Sequence, residues 1–439
     1  MTEEELKKYN VFLIPIGTYL GKDAFSYYLI YAPLVRNMMV ADVKGLSQLD
    51  SVLSNLVVKG NVSRFFSKIH RVADLQKMSI LPNHTCNFNC SYCYSAKGRS
   101  NVVLEKEKLQ KGLEFFIDST RLTERNISIS FIGGGEPLLS WDLVRFGIEY
   151  ADKLARNQGF HLTMTLITNG SIMTEEIIHV LKEYHVLPDV SFDIMEEAQN
   201  KNRKSFDKVC RTIDLLSEHD LAPSVNATIT PDTVKHMSEM FEFMHLRFPK
   251  VKNMVFEPVV SDTVFKTAAQ LHEFYEAYID NFFLAKNLAV KYDKNVTCRI
   301  FKNIDSLLER GCPSKFTLTP QGDLSICYCS SSPKEKKYSE RVYGYVTKDK
   351  VYIDEDKFKG IHGINVYSYA KCDNCFAKWH CAGGCMCPND LYTEDYLNEV
   401  CNFTKELVKR TLLERLEKQM ENEYGCSLRD YCLNNKKIK

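Results

Sequence analysis

The chain has 439 residues, 44% of them hydrophobic and 26% charged, a balance that suits a globular protein of two or three domains with sizeable cores. Lys plus Arg number 57 against 56 Asp plus Glu, a formal net charge of +1, which argues against the bulk electrostatics of a nucleic-acid binder. The charged start "MTEEELKKYN" lacks the apolar core of a signal peptide, and no apolar run comes near the length of a membrane span, so the reading is a cytoplasmic protein without a membrane partner.

In chain order, residues 1–75 hold two aromatic strand-like runs, "NVFLIPIGTYL" and "FSYYLIYAPL", and a helix-like "LSQLDSVLSNLVV". Such a segment either caps the open side of the following domain or binds a peptide by adding a strand; the cap is the preferred reading. Residues 76–290 alternate β-rich runs with amphipathic stretches. The runs are "KMSIL", "ISISFIG", "LTMTLIT", "DVSFDI", "SVNATIT" and "MVFEPVV". Strands alternating with helices predict βαβ units and a parallel sheet, here an α/β partial (β/α)6 barrel of TIM type with its chemistry at the C-terminal strand ends. Thr230-Pro231 predicts a helix start, with the hydroxyl as N-cap and proline in the first turn. Residues 291–410 form a small cysteine-rich domain in which "TLTPQGDLSICYC" predicts two strands around a Gln-Gly-Asp turn. Residues 411–439 close the chain, and "TKELVKRTLLERLEKQMENEY" predicts one packing helix.

Sixteen cysteines in a reducing compartment point to metal or iron–sulfur ligation rather than disulfides. Cys210, inside a helical pattern, reads as a small buried hydrophobe. Directly after the first strand, "HTCNFNCSYCYS" places Cys86, Cys90 and Cys93 three and then two residues apart. Three thiolates suit a 4Fe–4S cluster with one iron left open. Zinc is the alternative, with His84 as a helper, although no cysteine lies between Cys93 and Cys210 to supply a second pair.

With Tyr92, these cysteines reproduce C-x3-C-x-aromatic-C, and the chain resembles the radical S-adenosylmethionine (SAM) superfamily. The resemblance implies that the open iron chelates SAM and that an electron cleaves the nucleotide to a 5′-deoxyadenosyl radical. Further matches follow in order. "GGGEP" resembles the motif that meets the methionine ammonium, implicating Gly134, Gly135 and Glu136. "ITNG" fits a strand-end loop that includes Asn169. "VSFDIMEEAQNKNR" resembles the segment where Ser191 reaches the ribose and Arg203 the SAM carboxylate, with Asp193 between them. Tyr92 would lie along the adenine and Val260 beside it.

The later cysteines read C-x9-G-x4-C over Cys312, Gly322 and Cys327. Cys372, Cys375, Cys381, Cys385 and Cys401 follow. This series resembles the SPASM extension, which implies two auxiliary 4Fe–4S clusters and three in all. By that resemblance Cys372, Cys375, Cys381 and Cys401 hold the distal cluster, and Cys312, Cys327 and Cys385 the proximal one. The fourth proximal position is left open or filled by Cys329 or Cys387. A zinc ribbon over Cys372, Cys375, Cys381 and Cys385 is the alternative, and it leaves three cysteines idle. Cys426 and Cys432 fit no motif.

The resemblance implies an oxidoreductase that modifies a residue of a precursor peptide or protein, with a reductant such as flavodoxin or ferredoxin. Sulfatase-maturating relatives carry Asp where this chain has Tyr328. A tyrosine is a poor base at neutral pH, since its reference pKa is near 10. The chain therefore looks more like maturases of ribosomally made peptides, forming a thioether or carbon–carbon cross-link. Modification of a protein residue or a small molecule, and a non-catalytic zinc-binding protein, are the alternatives.

Overall fold

The computed structural model describes residues 2–21, 26–58, 62–66 and 69–434; Phe25 of the second aromatic run and the tail 435–439 lie outside them. Three short strands, β1 (Phe12–Pro15), β2 (Tyr27–Ala32) and β3 (Asn37–Asp42), form an antiparallel sheet in that order. The run 46–58 is not the helix its pattern predicts. It folds into separate 3-10 turns at Leu49–Ser51 and Leu53–Asn55. The Ser47 and Ser51 hydroxyls donate to nearby backbone carbonyls, Lys44 O at 2.6 Å and Gln48 O at 2.7 Å, a local bonding that competes with a helical ladder.

The six β-rich runs become β4 (Lys77–Ile80), β5 (Asn126–Phe131), β6 (His161–Thr168), β7 (Leu187–Ser191), β8 (Ser224–Ile229) and β9 (Asn253–Pro258). They pair in sequence order, every pair parallel. Alternation along β8 shows why: Val225, Ala227 and Ile229 are buried while the intervening residues are not, as a half-buried strand requires. The connecting helices bury one stripe. In Trp141–Gln158 the buried residues Val144, Gly147, Ile148, Ala151 and Ala155 recur at three- and four-residue spacing, and the helix stops at Gly159 with φ +71°, the left-handed end that glycine favours. Burial of each large aliphatic contributes about 1.5–3 kcal/mol.

Thr230-Pro231 does not start a helix. A turn intervenes, with Val234 N–H donating to Thr230 O at 2.9 Å, and the helix Met237–Arg247 begins only after the 3-10 turn Val234–His236. The Thr233 hydroxyl accepts the Thr230 N–H at 3.0 Å, a bond that closes the turn, and neither the 3-10 turn nor the helix after it has a side-chain N-cap.

On the far side of β9, β10 (Asn295–Thr297) adds a parallel strand that the sequence pattern missed. At the other edge β11 (Phe316–Leu318) pairs in parallel with β4, Thr317 opposite Ser79. It continues antiparallel through β12 (Asp323–Ser325), β13 (Val342–Val346) and β14 (Val351–Ile353). The β11–β12 turn is the one foreseen; Gly322 sits there at φ +95°. The cysteine-rich part is therefore not a separate bead but an extension of the barrel sheet, and it occupies the free edge of β4.

The N-terminal segment joins the barrel core at its end, through Val72 and Leu75. Phe12, Ile14 and Leu29 pack against Val408, Leu412 and Leu416, and Tyr31 Oη lies 2.5 Å from His380 Nε2, so the small sheet rests on the C-terminal helix and the cysteine-rich part. That helix spans Glu394–Tyr424 and begins ten residues earlier than the "TKELV" run. Glu394 and Asp395 in its first turn suit the positive end of the helix dipole. Among the described residues no helix is long and apolar enough to cross a membrane.

Candidate active site

A cavity of about 510 Å³ opens at the C-terminal ends of β4–β9, within the size range of small-molecule sites. The loop after β4 brings Cys86, Cys90 and Cys93 to its wall. Each sulfur has an N–H donor in reach: Asn169 Nδ2 at 3.8 Å from Cys86, Arg203 Nη1 at 3.8 Å from Cys90, and Arg99 Nη2 at 3.6 Å from Cys93. Burial pushes the Cys90 thiol up to about 11, so thiolates here need bound metal to form at neutral pH. Donors placed on all three sulfurs fit anionic cluster ligands. His84 does not join them. It is 1% exposed, its Nδ1 lies 3.3 Å from Ser100 Oγ, and its ring packs under Gly134.

The loop after β5 presents Gly134, Gly135 and Glu136 to the cavity. A Cβ on Gly135 would lie 1.9 Å from Thr85 O, and one on Gly134 would lie 2.5 Å from His84 Cδ2, so only glycine lets this loop lie against the cysteine loop. The Glu136 carboxylate faces inward rather than standing free. It accepts Thr168 Oγ1 at 2.7 Å, Asn169 N–H at 2.7 Å and Leu138 N–H at 3.2 Å, tying the β5 and β6 loops together. Burial pushes its carboxyl up to about 7, against the pull of those bonds.

At the end of β7, Ser191 lines the cavity while Asp193 lies beneath it, 1% exposed. Asp193 accepts from the Tyr92 hydroxyl, from Arg203 Nε at 3.1 Å and from Thr228 N–H at 3.2 Å. Arg203 Nε also donates to Tyr92 Oη at 2.7 Å, and its guanidinium lies 5.3 Å from the centre of that ring. Tyr92, Arg203 and Val260 line the cavity. Asp193 supports the other two.

The same cavity is lined by Tyr328, Cys329, Cys385 and Cys387. The pairing of β11 with β4 explains this, since it sets the turn after β12 beside the first cysteine loop. Tyr328 stands 5.8 Å from Tyr94, centre to centre, with Lys315 Nζ 4.8 Å from its ring. Sequence reasoning missed Arg99, Tyr94, Glu257 and Arg299. Glu257 accepts the Arg299 N–H at 2.6 Å, and Arg299 projects toward a second cavity of about 60 Å³ that Cys372, Cys381, Cys385 and Cys401 also line. Cys375 lies with this group: the four thiols Cys372, Cys375, Cys381 and Cys401 act electrostatically on one another. Burial raises Cys372 to about 11 and Cys381 to about 12.

Cys385 is influenced instead by Arg299, Cys327 and Cys387, which is not the foursome of a zinc ribbon. Among the described residues no three His, Cys, Asp or Glu side chains converge as a single bound ion requires. Cys432 is buried in the core beneath the N-terminal sheet, away from both cavities, and Cys210 is buried as foreseen.

The sequence model of the radical SAM superfamily matches residues 80–244. The chain is similar to a radical SAM cyclopropyl synthase, TigE, of Paramaledivibacter caminithermalis, at 24% identity over 191 residues, 40% of each protein. The match thus spans well under half of that relative's length. The similarity to a cysteine-type anaerobic sulfatase-maturating enzyme of Clostridium novyi is 22% identity over 68% of this chain and 84% of that one. Among solved structures, anSMEcpe with bound AdoMet shares the fold at TM-score 0.61 and 18% identity, covering 77% of this chain and 98% of that one. Streptococcus suis SuiB bound to precursor peptide SuiA aligns at TM-score 0.53 and 15% identity, over 80% and 85%.

Proposed function

Because residues 80–244 carry a radical SAM domain, we propose that the chain cleaves SAM reductively and modifies a residue of a ribosomally made precursor peptide, closing a thioether or carbon–carbon cross-link. The carrying observation is that one cavity is lined both by Cys86, Cys90 and Cys93 and by Cys329, Cys385 and Cys387. A substrate held there would lie between a radical source and an electron acceptor. In this reading three 4Fe–4S clusters and SAM supply the electron transfers and the 5′-deoxyadenosyl radical that takes a hydrogen atom.

The chain's own residues orient and shield. Arg203 is fixed by Asp193 and offers its charge to the SAM carboxylate. The 133–136 loop offers close backbone to the methionine end, and an arriving ammonium would favour ionised Glu136. Tyr92, Val260 and Ser191 bound the nucleoside. Tyr94 and Tyr328 form an aromatic wall toward the substrate, and Tyr328 is no general base at neutral pH, because burial pushes its hydroxyl well above its ordinary value. A small electron-transfer protein of the flavodoxin or ferredoxin type would supply electrons.

A peptide substrate is supported by two structural neighbours with bound peptides, SuiB with SuiA and anSMEcpe with Cp18Cys. A second reading, modification of a protein residue as in sulfatase maturation, is favoured by the longer match to those maturases; Tyr328 in place of their Asp speaks against it. Anaerobic incubation of the reconstituted chain with SAM, reductant and candidate peptides tests the proposal. A cross-linked precursor two hydrogens lighter supports it; conversion of a Cys- or Ser-containing sulfatase peptide to an aldehyde, with no precursor modified, overturns it in favour of the second reading.

A further inference from the structure

We propose that Cys329 is the fourth protein ligand of the cluster nearest the SAM cavity, completing Cys312, Cys327 and Cys385 and leaving none of its irons open to a substrate thiolate. This deepens the functional reading above and takes from it the existence of that cluster.

Five free cysteines from three segments lie near enough to influence one another's charge: Cys312, Cys327, Cys329, Cys385 and Cys387. Ser330 N–H donates to Cys327 O at 3.1 Å and closes a tight turn. Cys329 N–H donates to Cys327 Sγ at 3.4 Å, so the Cys327 sulfur is folded back against the backbone of Cys329. Electrostatically the thiols pair in a row, Cys312 with Cys327, Cys327 with Cys329, and Cys329 with Cys387. Cys329 therefore adjoins a ligand foreseen from the sequence. Cys387 acts on Cys327 by charge alone, and its own N–H is directed at Cys385.

A four-iron cube takes one donor per iron, and the other donors nearby are already engaged. The Asp390 carboxylate holds Arg341 at 2.8 and 3.2 Å. Met386 Sδ accepts from Arg310 Nη2 at 3.2 Å.

A second, independent observation is an unpaired cation. Arg310 Nε donates to Cys312 O at 2.7 Å, and Nη1 donates to Ile361 O at 2.6 Å and His362 O at 2.7 Å. Among the described residues no carboxylate forms an ion pair with it. A half-buried guanidinium satisfied only by carbonyls and a thioether, beside Cys312, calls for an anion. Four thiolates around an iron–sulfur core supply one. Five small buried hydrophobes would not need Arg310 there.

The test uses the full chain, reconstituted anaerobically, as the parent and as Cys329→Ala, Cys329→Ser and Cys387→Ala. Iron per chain and the electron paramagnetic resonance of the reduced protein are read, and the change in the first cluster's signal on adding SAM serves as the control for an intact fold. Cys329→Ala leaves that cluster three thiolates and one open iron, so its reduced spectrum should change and its iron should fall below the parent's about twelve. Cys329→Ser should keep more iron with an altered spectrum, and Cys387→Ala should match the parent. The proposal is overturned if both Cys329 variants match the parent, or if Cys387→Ala is the one that loses iron. A parent with only about four irons overturns it together with the two-cluster reading, whereas about twelve irons and silent Cys329 variants overturn it alone.

Discussion

Arg203 Nε stands 3.1 Å from Asp193 Oδ1, and the two side chains are 12% and 1% exposed. A paired charge this far from solvent is held by geometry, not by chance encounter, and it aims Arg203 at both Cys90 and the cavity. Asp193→Asn should therefore weaken SAM binding roughly 10–100-fold, in line with about 1.5–3 kcal/mol for a charge-assisted hydrogen bond, while the iron of the first cluster stays bound. Equilibrium dialysis of SAM together with iron analysis checks both parts; unchanged SAM affinity would contradict the positioning role.

Gly135→Ala should be felt at the site before it is felt in the fold. The new Cβ meets the Thr85 carbonyl at 1.9 Å, and backbone cannot yield as a flexible side-chain tip can, so the β5 loop must move off the cysteine loop. SAM affinity should drop at least about tenfold, or about 1.4 kcal/mol, measured as the SAM-induced change in the first cluster's spectrum. Far-ultraviolet circular dichroism should remain that of the parent.

Leu412→Ala tests the packing of the N-terminal sheet on the C-terminal helix. Leu412 is 3% exposed among Phe12, Ile14 and Leu29, so truncation should cost about 2–5 kcal/mol, seen as a lower urea midpoint. The SAM-induced change in the first cluster's spectrum should stay that of the parent, because this core lines no part of the SAM cavity, although it packs against Cys375 of the second thiol group. Cys432→Ala should leave the iron count at the parent value.

Glu335 carries a pH signature. Its Oε2 accepts the Ser331 N–H at 2.6 Å and the Ser332 N–H at 3.0 Å, its Oε1 has no partner, and burial pushes its carboxyl up to about 7. A folded pKa above the unfolded value means that the native state binds more protons between about 4.5 and about 7. The contribution to stability is full below that window and is lost as pH rises through it. The parent should therefore lose stability between pH 5 and pH 8, and Glu335→Gln, which stays neutral, should lose less. Urea midpoints at the two pH values check this; parallel losses would contradict it.

The barrel strands were legible because each is a short β-branched run, such as Ile127-Ser128-Ile129-Ser130, bounded by turn residues and followed by a long amphipathic stretch. The cysteine spacings placed the site because thiols are rare enough for their order to carry meaning. What was not legible depended on tertiary neighbours. β10 is three residues long and exists through its pairing with β9. Leu46–Val58 carried apolar residues at helical spacing, but serine hydroxyls took the local carbonyls. The helix start at Glu394 was hidden by cysteines that drew the eye to loops. Arg299 and Arg310 have no motif at all; their roles come from β10 and β11 folding the cysteine-rich part onto the edge of β4.

The central claim is that the Cys86, Cys90 and Cys93 loop binds a cluster that breaks SAM. The most direct measurement is formation of 5′-deoxyadenosine and methionine by the anaerobically reconstituted chain given dithionite, set beside the same chain with those three cysteines changed to alanine. The account predicts a brown parent that forms both products and a variant short of about four irons that forms neither. A colourless parent that holds zinc and leaves SAM intact would contradict it.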